Sequence, residues 1–265
     1  VFTETIANPR TQIADLAGIG ALCAERSLLY VVDNTITTPF LFQPVNVGAH
    51  LVVNSLTKYI GGHGNALGGA ITDLGSFDWE RFDNVLELYR VGDPAMWGIN
   101  QLKKKGLSDF GASLASDAAH RLSVGADTLA LRMARCCESA ERIAQFLADH
   151  PAVDRVYFPG LPDHPQHEQS KKWFKYHGAI LSFETRADLD CFDLLDAMNL
   201  VVKATHLGDL RTLALPVAHT IFYEVGPERR EQMGISDHLI RMSIGIEDTD
   251  DLIEDLEQAF KKTLG

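Results

Sequence analysis

The chain is predicted to be an α/β protein, a mostly parallel sheet with crossover helices followed by a smaller α/β unit. Three observations predict this. Leu28-Leu29-Tyr30-Val31-Val32 and Leu51-Val52-Val53 are short apolar runs without polar alternation, the pattern of parallel strands covered on both faces. Helical and strand-like patterns alternate through the first half, as crossover connections require. Near Ala130 the texture changes, and a long helical pattern leads into a second set of strand-like runs.

Residues 1–5 read as a strand closed by the turn pair Asn8-Pro9. Residues 11–26 read as a helix, with Ile13, Leu16, Ile19 and Leu22 near helical spacing. Residues 28–32 and 51–54 are the buried strands, joined by a connector at 44–49, and 68–72 resemble a further strand. Residues 78–101 are more polar and contain Gly92-Asp93-Pro94, which predicts helices broken by a turn. Residues 126–150 read as one long helix on Leu129, Met133, Ile143, Phe146 and Leu147, stopped by His150-Pro151. Strands are expected at 152–158, 178–184 and 239–246, with a helix at 189–198. A last helix is expected at 250–264, where Leu252, Leu256 and Phe260 lie four apart and Lys261 and Lys262 suit the C-terminal end. The expected division is 1–130 and 131–265, without tandem repeats.

The chain has 265 residues, 46% hydrophobic and 23% charged, ample for one large or two modest cores. A formal net charge of -12 argues against nucleic-acid or anionic-membrane partners. No apolar run approaches the roughly 18 to 20 residues that span a bilayer. The four cysteines, Cys23, Cys136, Cys137 and Cys191, lack metal-type spacing and do not form a disulfide framework, so a reducing, cytoplasmic setting is expected. The adjacent Cys136 and Cys137 point in different directions on a helix and are expected to pack. His164-Pro165-Gln166-His167 is read as a surface loop, because proline breaks a helical pair and no acidic or cysteine partners complete a ligand set; no metal is expected. The sequence opens on Val1 without initiator methionine or leader, and is read as the later part of a longer chain.

The chemistry concentrates at two strand ends. Lys58 lies in Asn54-Ser55-Leu56-Thr57-Lys58-Tyr59-Ile60-Gly61-Gly62-His63, just after a strand, and Asp33 ends the preceding one. Ligands of open α/β sheets sit beyond the carboxyl ends of strands. A lysine amine, two hydroxyls and a carboxylate placed there are the groups a pyridoxal phosphate site needs. The amine can form a Schiff base with the cofactor aldehyde, the carboxylate can keep the pyridine nitrogen protonated, and hydroxyls can bind phosphate. Ser55 and Thr57 lie two apart and share one side if the chain is extended there. The competing readings are a solvated lysine and turn caps at Asp33, Ser55 and Thr57. Arg241 alternates with Ile240 and Met242 on a strand, and its fork suits an α-carboxylate, the alternative being a structural ion pair. His63, His206 and His219 have hydrogen-bonded structural roles as their default reading.

In this order along the chain, Glu4-Thr5-Ile6-Ala7-Asn8-Pro9, Val31-Val32-Asp33-Asn34-Thr35, Ser55-Leu56-Thr57-Lys58-Tyr59 with Gly62-His63-Gly64, Thr128-Leu129-Ala130-Leu131-Arg132-Met133, Leu207-Gly208-Asp209, Pro216-Val217-Ala218-His219-Thr220 and Arg241-Met242-Ser243-Ile244-Gly245-Ile246-Glu247 resemble the Cys/Met-metabolism (trans-sulfuration) family of pyridoxal-phosphate enzymes. That family includes cystathionine γ-synthase, cystathionine γ-lyase, methionine γ-lyase and the O-acylhomoserine sulfhydrylases. The resemblance implies the aminotransferase-like fold type I, with a seven-stranded sheet domain and a smaller α/β domain. It implies that Lys58 carries the cofactor and moves protons, Asp33 pairs with the pyridine nitrogen, and Asn8 contacts the 3-hydroxyl side. It gives phosphate to Ser55 and Thr57 and the substrate carboxylate to Arg241. It also implies a homotetramer built from dimers that share sites.

Three departures stand out. The family's N-terminal portion, with a Gly-Met phosphate loop, a ring-stacking tyrosine and an arm reaching the neighbouring subunit, has no counterpart here. His206 stands where many members have a serine that helps receive the substrate carboxylate, which implicates His206 in substrate binding. Arg121-Leu122-Ser123-Val124-Gly125 varies the usual run before Thr128. The implied activity is γ-elimination or γ-replacement on a sulfur amino acid or O-acylhomoserine, with Gly208-Asp209-Leu210-Arg211-Thr212-Leu213 tilting towards replacement. The alternatives are β-elimination of the cystathionine β-lyase type and a non-catalytic partner that keeps the fold.

Overall fold

The computed structural model describes residues 1–265. Strands β1 (Phe2–Glu4), β2 (Val31–Asp33) and β3 (Leu51–Ser55) pair in parallel, and β4 (Gly69–Asp73) joins β3 antiparallel. The register sets Glu4 beside Asp33 and Asp33 beside Val53. The carboxyl ends of three strands, and whatever follows them, therefore open onto one place.

Helix α1 (Leu16–Arg26) starts five residues later than periodicity suggests. Asp15 accepts a hydrogen bond from Gly18 N at 3.1 Å, and this cap fixes the first turn. Upstream, Thr11 takes a left-handed φ of 56° that no helix admits. Leu16 and Cys23 on α1 bury against Tyr30 and Val32. A single turn, α2 (Thr38–Leu41), follows β2. The segment expected to form broken helices contains three short 3-10 turns before α3 (Trp97–Leu102). There Phe77 and Trp79 pack edge to face at 4.8 Å over Leu51.

The expected long helix is two helices, α4 (Ser116–Asp127) and α5 (Leu129–Asp149). The break at Thr128 has a cause in side-chain competition. Arg132 takes the Gly125 carbonyl at 2.7 Å, and Thr128 Oγ1 donates to the same oxygen at 3.2 Å. An acceptor claimed by side chains is lost to the helical ladder. Met133, Cys136 and Cys137 on α5 belong to the core under the first sheet. Ala140, Ile143, Ala144 and Leu147 belong to the core of the second.

The second sheet contains β5 (Val153–Tyr157), β6 (Ile180–Thr185), β7 (Val202–Lys203), β8 (Leu213–Pro216) and β9 (Leu239–Ser243), in the order β5-β6-β9-β8-β7. All its pairs are antiparallel except β7 with β8. Between strands run α6 (His167–Trp173), α7 (Cys191–Ala197) and α8 (Pro227–Gln232), and α9 (Thr249–Leu264) closes the chain. Leu252, Leu256 and Phe260 on α9 are fully buried with Ile143 and Leu147 of α5, each such side chain stabilising the fold by roughly 1.5–3 kcal/mol. The run at 164–167 is a turn that leads into α6, and its first histidine leaves the surface. His164 is buried against Thr11 (Nε2 to Oγ1, 3.4 Å) and accepts from Gln166 N, while His167 opens α6. Proline kept this stretch from reading as structured, yet Pro165 lies just ahead of a helix start. No helix is long and apolar enough to cross a membrane.

Candidate active site

The turn that carries Lys58 grows directly from β3. Thr35 Oγ1 accepts from Ser55 N at 2.8 Å and Asn54 donates to Asn34 O at 3.0 Å, so the ends of β2 and β3 are tied together. Residues Leu56–Ile60 then wind into a wide turn closed by Gly61 N to Leu56 O at 2.8 Å, with Lys58 at φ −87°, ψ −133°. Arg132 holds this turn from outside. It donates to Tyr59 O at 2.6 Å and Ile60 O at 3.0 Å while its Nε is fixed on Thr128. Below, the Tyr59 ring is buried with its hydroxyl 3.4 Å from Ser243 Oγ, which accepts from Gly208 N at 2.8 Å. Gly208 sits at φ +75° with a Cβ position only 2.6 Å from Tyr59 N, so no larger residue fits.

Lys58, Asp33, Asn8 and Ser55 line one cavity of about 220 Å³, with Glu4 and Leu207 also in its wall. Burial first, and the nearby Arg241 guanidinium second, hold the Lys58 amine below its ordinary pKa. Lys58 Nζ lies 3.1 Å from His206 Nδ1. Burial, then Lys58, lower the His206 pKa, with Arg241 and Arg211 acting alike and Asp209 against them. Asp33 accepts from Thr35 N at 2.9 Å, so it does cap a turn, yet it belongs to no ion pair and faces the cavity. Glu4 beside it is pushed up by burial and by the Asp33 charge. Glu4 was missed by sequence reasoning because only strand register places it there.

Arg241 is 1% exposed. It donates to Asn8 Oδ1 at 3.3 Å and to the carbonyls of Thr205 and His206 at 3.1 and 2.7 Å, and its Nε has no partner. Burial lowers its pKa to about 10. It is not the structural ion pair that the sequence left open, since no carboxylate lies against it. Ser55 and Thr57 do not share a face. The strand ends at Ser55, and Thr57 Oγ1 turns away to bond Gly68 N and O at 3.0 and 3.2 Å. His63 bonds Gly61 O at 2.6 Å and His219 bonds Asp237 O at 3.2 Å, so among the three histidines only His206 reaches Lys58. Arg132 was visible in sequence as one member of a matching run, but its clamp on the lysine turn was not. A further cavity of about 500 Å³, which none of these groups lines, holds Arg10, Arg155 and Arg230 with Glu184, Glu231 and Asp237, so its charges balance.

An amine, a carboxylate and a hydroxyl around one cavity, none consumed by an ion pair, suit the pyridine ring, aldehyde and phosphate of pyridoxal phosphate. The family model of Cys/Met metabolism PLP-dependent enzymes matches residues 1–261. The chain belongs to this family. It is 38% identical over 265 residues to an L-methionine gamma-lyase of Fusobacterium nucleatum subsp. polymorphum, covering 99% of this chain and 62% of that relative. It is 34% identical over 281 residues to a sulfhydrylase of Fusarium oxysporum f. sp. lycopersici, covering 100% and 65%. Among solved structures, cystathionine gamma-lyase from Lactobacillus plantarum complexed with L-serine superposes with a TM-score of 0.87 at 31% identity, covering 99% of this chain and 64% of that one. A protein of Campylobacter jejuni subsp. jejuni described as an O-acetylhomoserine (thiol)-lyase superposes with a TM-score of 0.89 at 34% identity, covering 98% and 65%, and carries N'-pyridoxyl-lysine-5'-monophosphate. The fold is that of the fold type I PLP-dependent enzymes. The chain spans less than two thirds of the length of these curated relatives.

Proposed function

We propose that this chain carries the lysine-bearing part of a pyridoxal-phosphate enzyme that performs γ-elimination or γ-replacement on a sulfur amino acid or O-acylhomoserine. The observation that carries the reading is a fully buried guanidinium, Arg241, with no acidic partner, beside a half-buried lysine amine. A buried cation left uncompensated is expensive, and an α-carboxylate arriving from outside would compensate it. Asn8 and the carbonyls of Thr205 and His206 take three of the five N–H donors, leaving Nε and one Nη1 hydrogen for the substrate. When bound, the cofactor supplies an electron sink for a substrate carbanion. With the cofactor bound, Asp33 would stabilise positive charge on the pyridine nitrogen, and Ser55 and Thr57 would donate to phosphate, Thr57 after leaving its bonds to Gly68. Burial and Arg241 lower the hold of the Lys58 amine on its proton, and in its neutral form Nζ can take the proton from the substrate α-carbon.

The test is a visible spectrum of the full-length protein beside Lys58→Ala, followed by borohydride. The parent is expected to lose its yellow band and retain the cofactor covalently; covalent retention in the variant would remove Lys58 from its role. Cystathionine then separates the chemistries, since cysteine release marks γ-cleavage and homocysteine release the β-lyase alternative. Lys58, Asp33 and Arg241 standing together speak against a non-catalytic partner. Residues 1–130 are read as the C-terminal part of the large domain and 131–265 as the small domain, supported by a separate sheet in each half. A cytoplasmic homotetramer, a dimer of dimers, is proposed as the working form, supported by four buried cysteines without disulfide partners and by exposed apolar residues such as Leu67 and Phe110; light scattering would decide the assembly.

A further inference from the structure

The second sheet sets one row of side chains against the segment 8–10. Register places Tyr157 of β5 opposite Ser182 of β6, and Ser182 opposite Arg241 of β9. Asn8 accepts from Arg241 at 3.3 Å, and Pro9 O accepts from Ser182 Oγ at 2.7 Å. The Arg10 guanidinium stands 4.7 Å from the Tyr157 ring centroid. Three consecutive residues thus cross three neighbouring strands, with Asn8 in the wall of the Lys58 cavity and Arg10 in that of the 500 Å³ cavity.

The charges of the 500 Å³ cavity balance in number but not in pairing. Arg230 is paired with Asp237 at 3.2 Å. Arg10 and Arg155 belong to no ion pair, and Arg155 also stands over Tyr157, at 4.9 Å. Two like charges held over one ring repel until an anion joins them. Arg10 donates once, from Nη1 to Met233 O at 3.0 Å; its Nη2 has no partner and is not shut in. A side chain at Gly234 would strike that same Nη1, so the turn is bare where the guanidinium passes. On the acidic side, Glu184 accepts only from the hydroxyls of Tyr157 and Ser236, at 3.3 and 2.9 Å. Glu231 is exposed in the wall and its side chain makes no hydrogen bond or ion pair. A dianion would meet these carboxylates, and a simple cation would meet the guanidiniums. A ligand with one charge of each sign satisfies both.

Independently of the function proposed above, we propose that this cavity is a second binding site, and that it takes a zwitterionic α-amino acid. The α-carboxylate lies on Arg10 Nη2 and the Arg155 fork, a pairing that guanidiniums suit. The α-ammonium faces Glu184 and Glu231. The volume is that of a small-molecule site, and Pro227 and Ile235 in the wall offer apolar contact to the ligand's side chain. No residue lines both this cavity and that of Lys58, so the two can be filled at once.

The experiment is equilibrium dialysis of the full-length protein against radiolabelled L-norleucine, which has no γ-heteroatom to lose. Arg155→Gln and Glu231→Gln change exposed residues, and each is expected to weaken one class of bound norleucine about tenfold or more. Arg241→Met is expected to leave that class intact and to remove a different one. Norleucine binding that neither Arg155→Gln nor Glu231→Gln alters, or that Arg241→Met abolishes entirely, overturns the second site. Binding that Arg155→Gln weakens and Arg241→Met leaves wholly unchanged supports the second site while removing Arg241 from carboxylate recognition, so the two readings fail separately. The ligand class is tested with two relatives of norleucine. L-Norleucine amide lacks the carboxylate and 2-hydroxyhexanoate lacks the ammonium, and each is expected to compete at this site about tenfold or more weakly. Competition by 2-hydroxyhexanoate or by sulfate as strong as by norleucine would mark a simple anion site and refute the zwitterion.

Discussion

Replacing Arg241 by methionine separates a residue kept for a ligand from one kept for the fold. Methionine is of similar length and fills the site without charge. The guanidinium is held from 12.5 down to about 10 by burial, which at about 1.4 kcal/mol per tenfold amounts to about 3 kcal/mol of disfavoured charge. Against this stand the hydrogen bonds to Asn8 Oδ1 and to the carbonyls of Thr205 and His206, worth about 1 kcal/mol each. The balance predicts that the ligand-free Arg241→Met protein is as stable as its parent, or up to about 1 kcal/mol more stable. The sign follows from linkage. The folded state binds its proton less tightly than the unfolded chain, so the penalty is fully present below about pH 10 and is relieved only as pH rises through that value. Affinity for an amino acid moves the other way and is expected to fall by about 2–4 kcal/mol, the scale of a lost buried charge pair. Urea unfolding of the full-length protein and calorimetric titration with substrate measure the two effects. A loss of stability above about 2 kcal/mol with unchanged affinity would show that Arg241 serves the fold, and the carboxylate argument would fail.

Arg132→Ala leaves the carbonyls of Tyr59, Ile60 and Gly125 without their donor and should cost about 3–5 kcal/mol in urea unfolding, with Arg132→Lys recovering part of it; a cost below about 1 kcal/mol would deny the clamp. Gly208→Ala places a Cβ 2.6 Å from Tyr59 N at a φ of +75°. It should lose about 2 kcal/mol or more and slow covalent capture of cofactor at Lys58; an unaltered Tm and capture rate would contradict this. Stability should fall as the medium becomes acidic. Burial lowers the pKa values of His50, His150, His164, His177 and His206 below 6.5. Their contribution is complete above about pH 6.5 and is lost as pH drops through the folded values. A urea midpoint that is the same at pH 7.5 and pH 5.5 would refute it.

The strands were readable because parallel pairing in a covered sheet demands continuous apolar runs, as at residues 28–32 and 51–53. The start of α1 and the break before α5 were not. Asp15 and Arg132 decide them by hydrogen bonds, and the acceptor that Arg132 claims is seven residues away in the preceding helix. The orientation of β4 also escaped, since its composition suits either direction. Ser55 and Thr57 looked alike on a two-residue period, and the period stops at Ser55 because the chain begins to turn there.

The order and types of residues alone determined the chemistry on offer: an amine at Lys58, a carboxylate at Asp33 and a guanidinium at Arg241, each at the end of or within a strand. Strand order and packing decided their company. They set Glu4 beside Asp33, leave Arg241 buried without an acid, and bring His206 to Lys58 across a sequence separation of 148. Side-chain chemistry is local and can be read residue by residue, whereas desolvation and charge pairing depend on which distant segments the fold brings within a few ångströms.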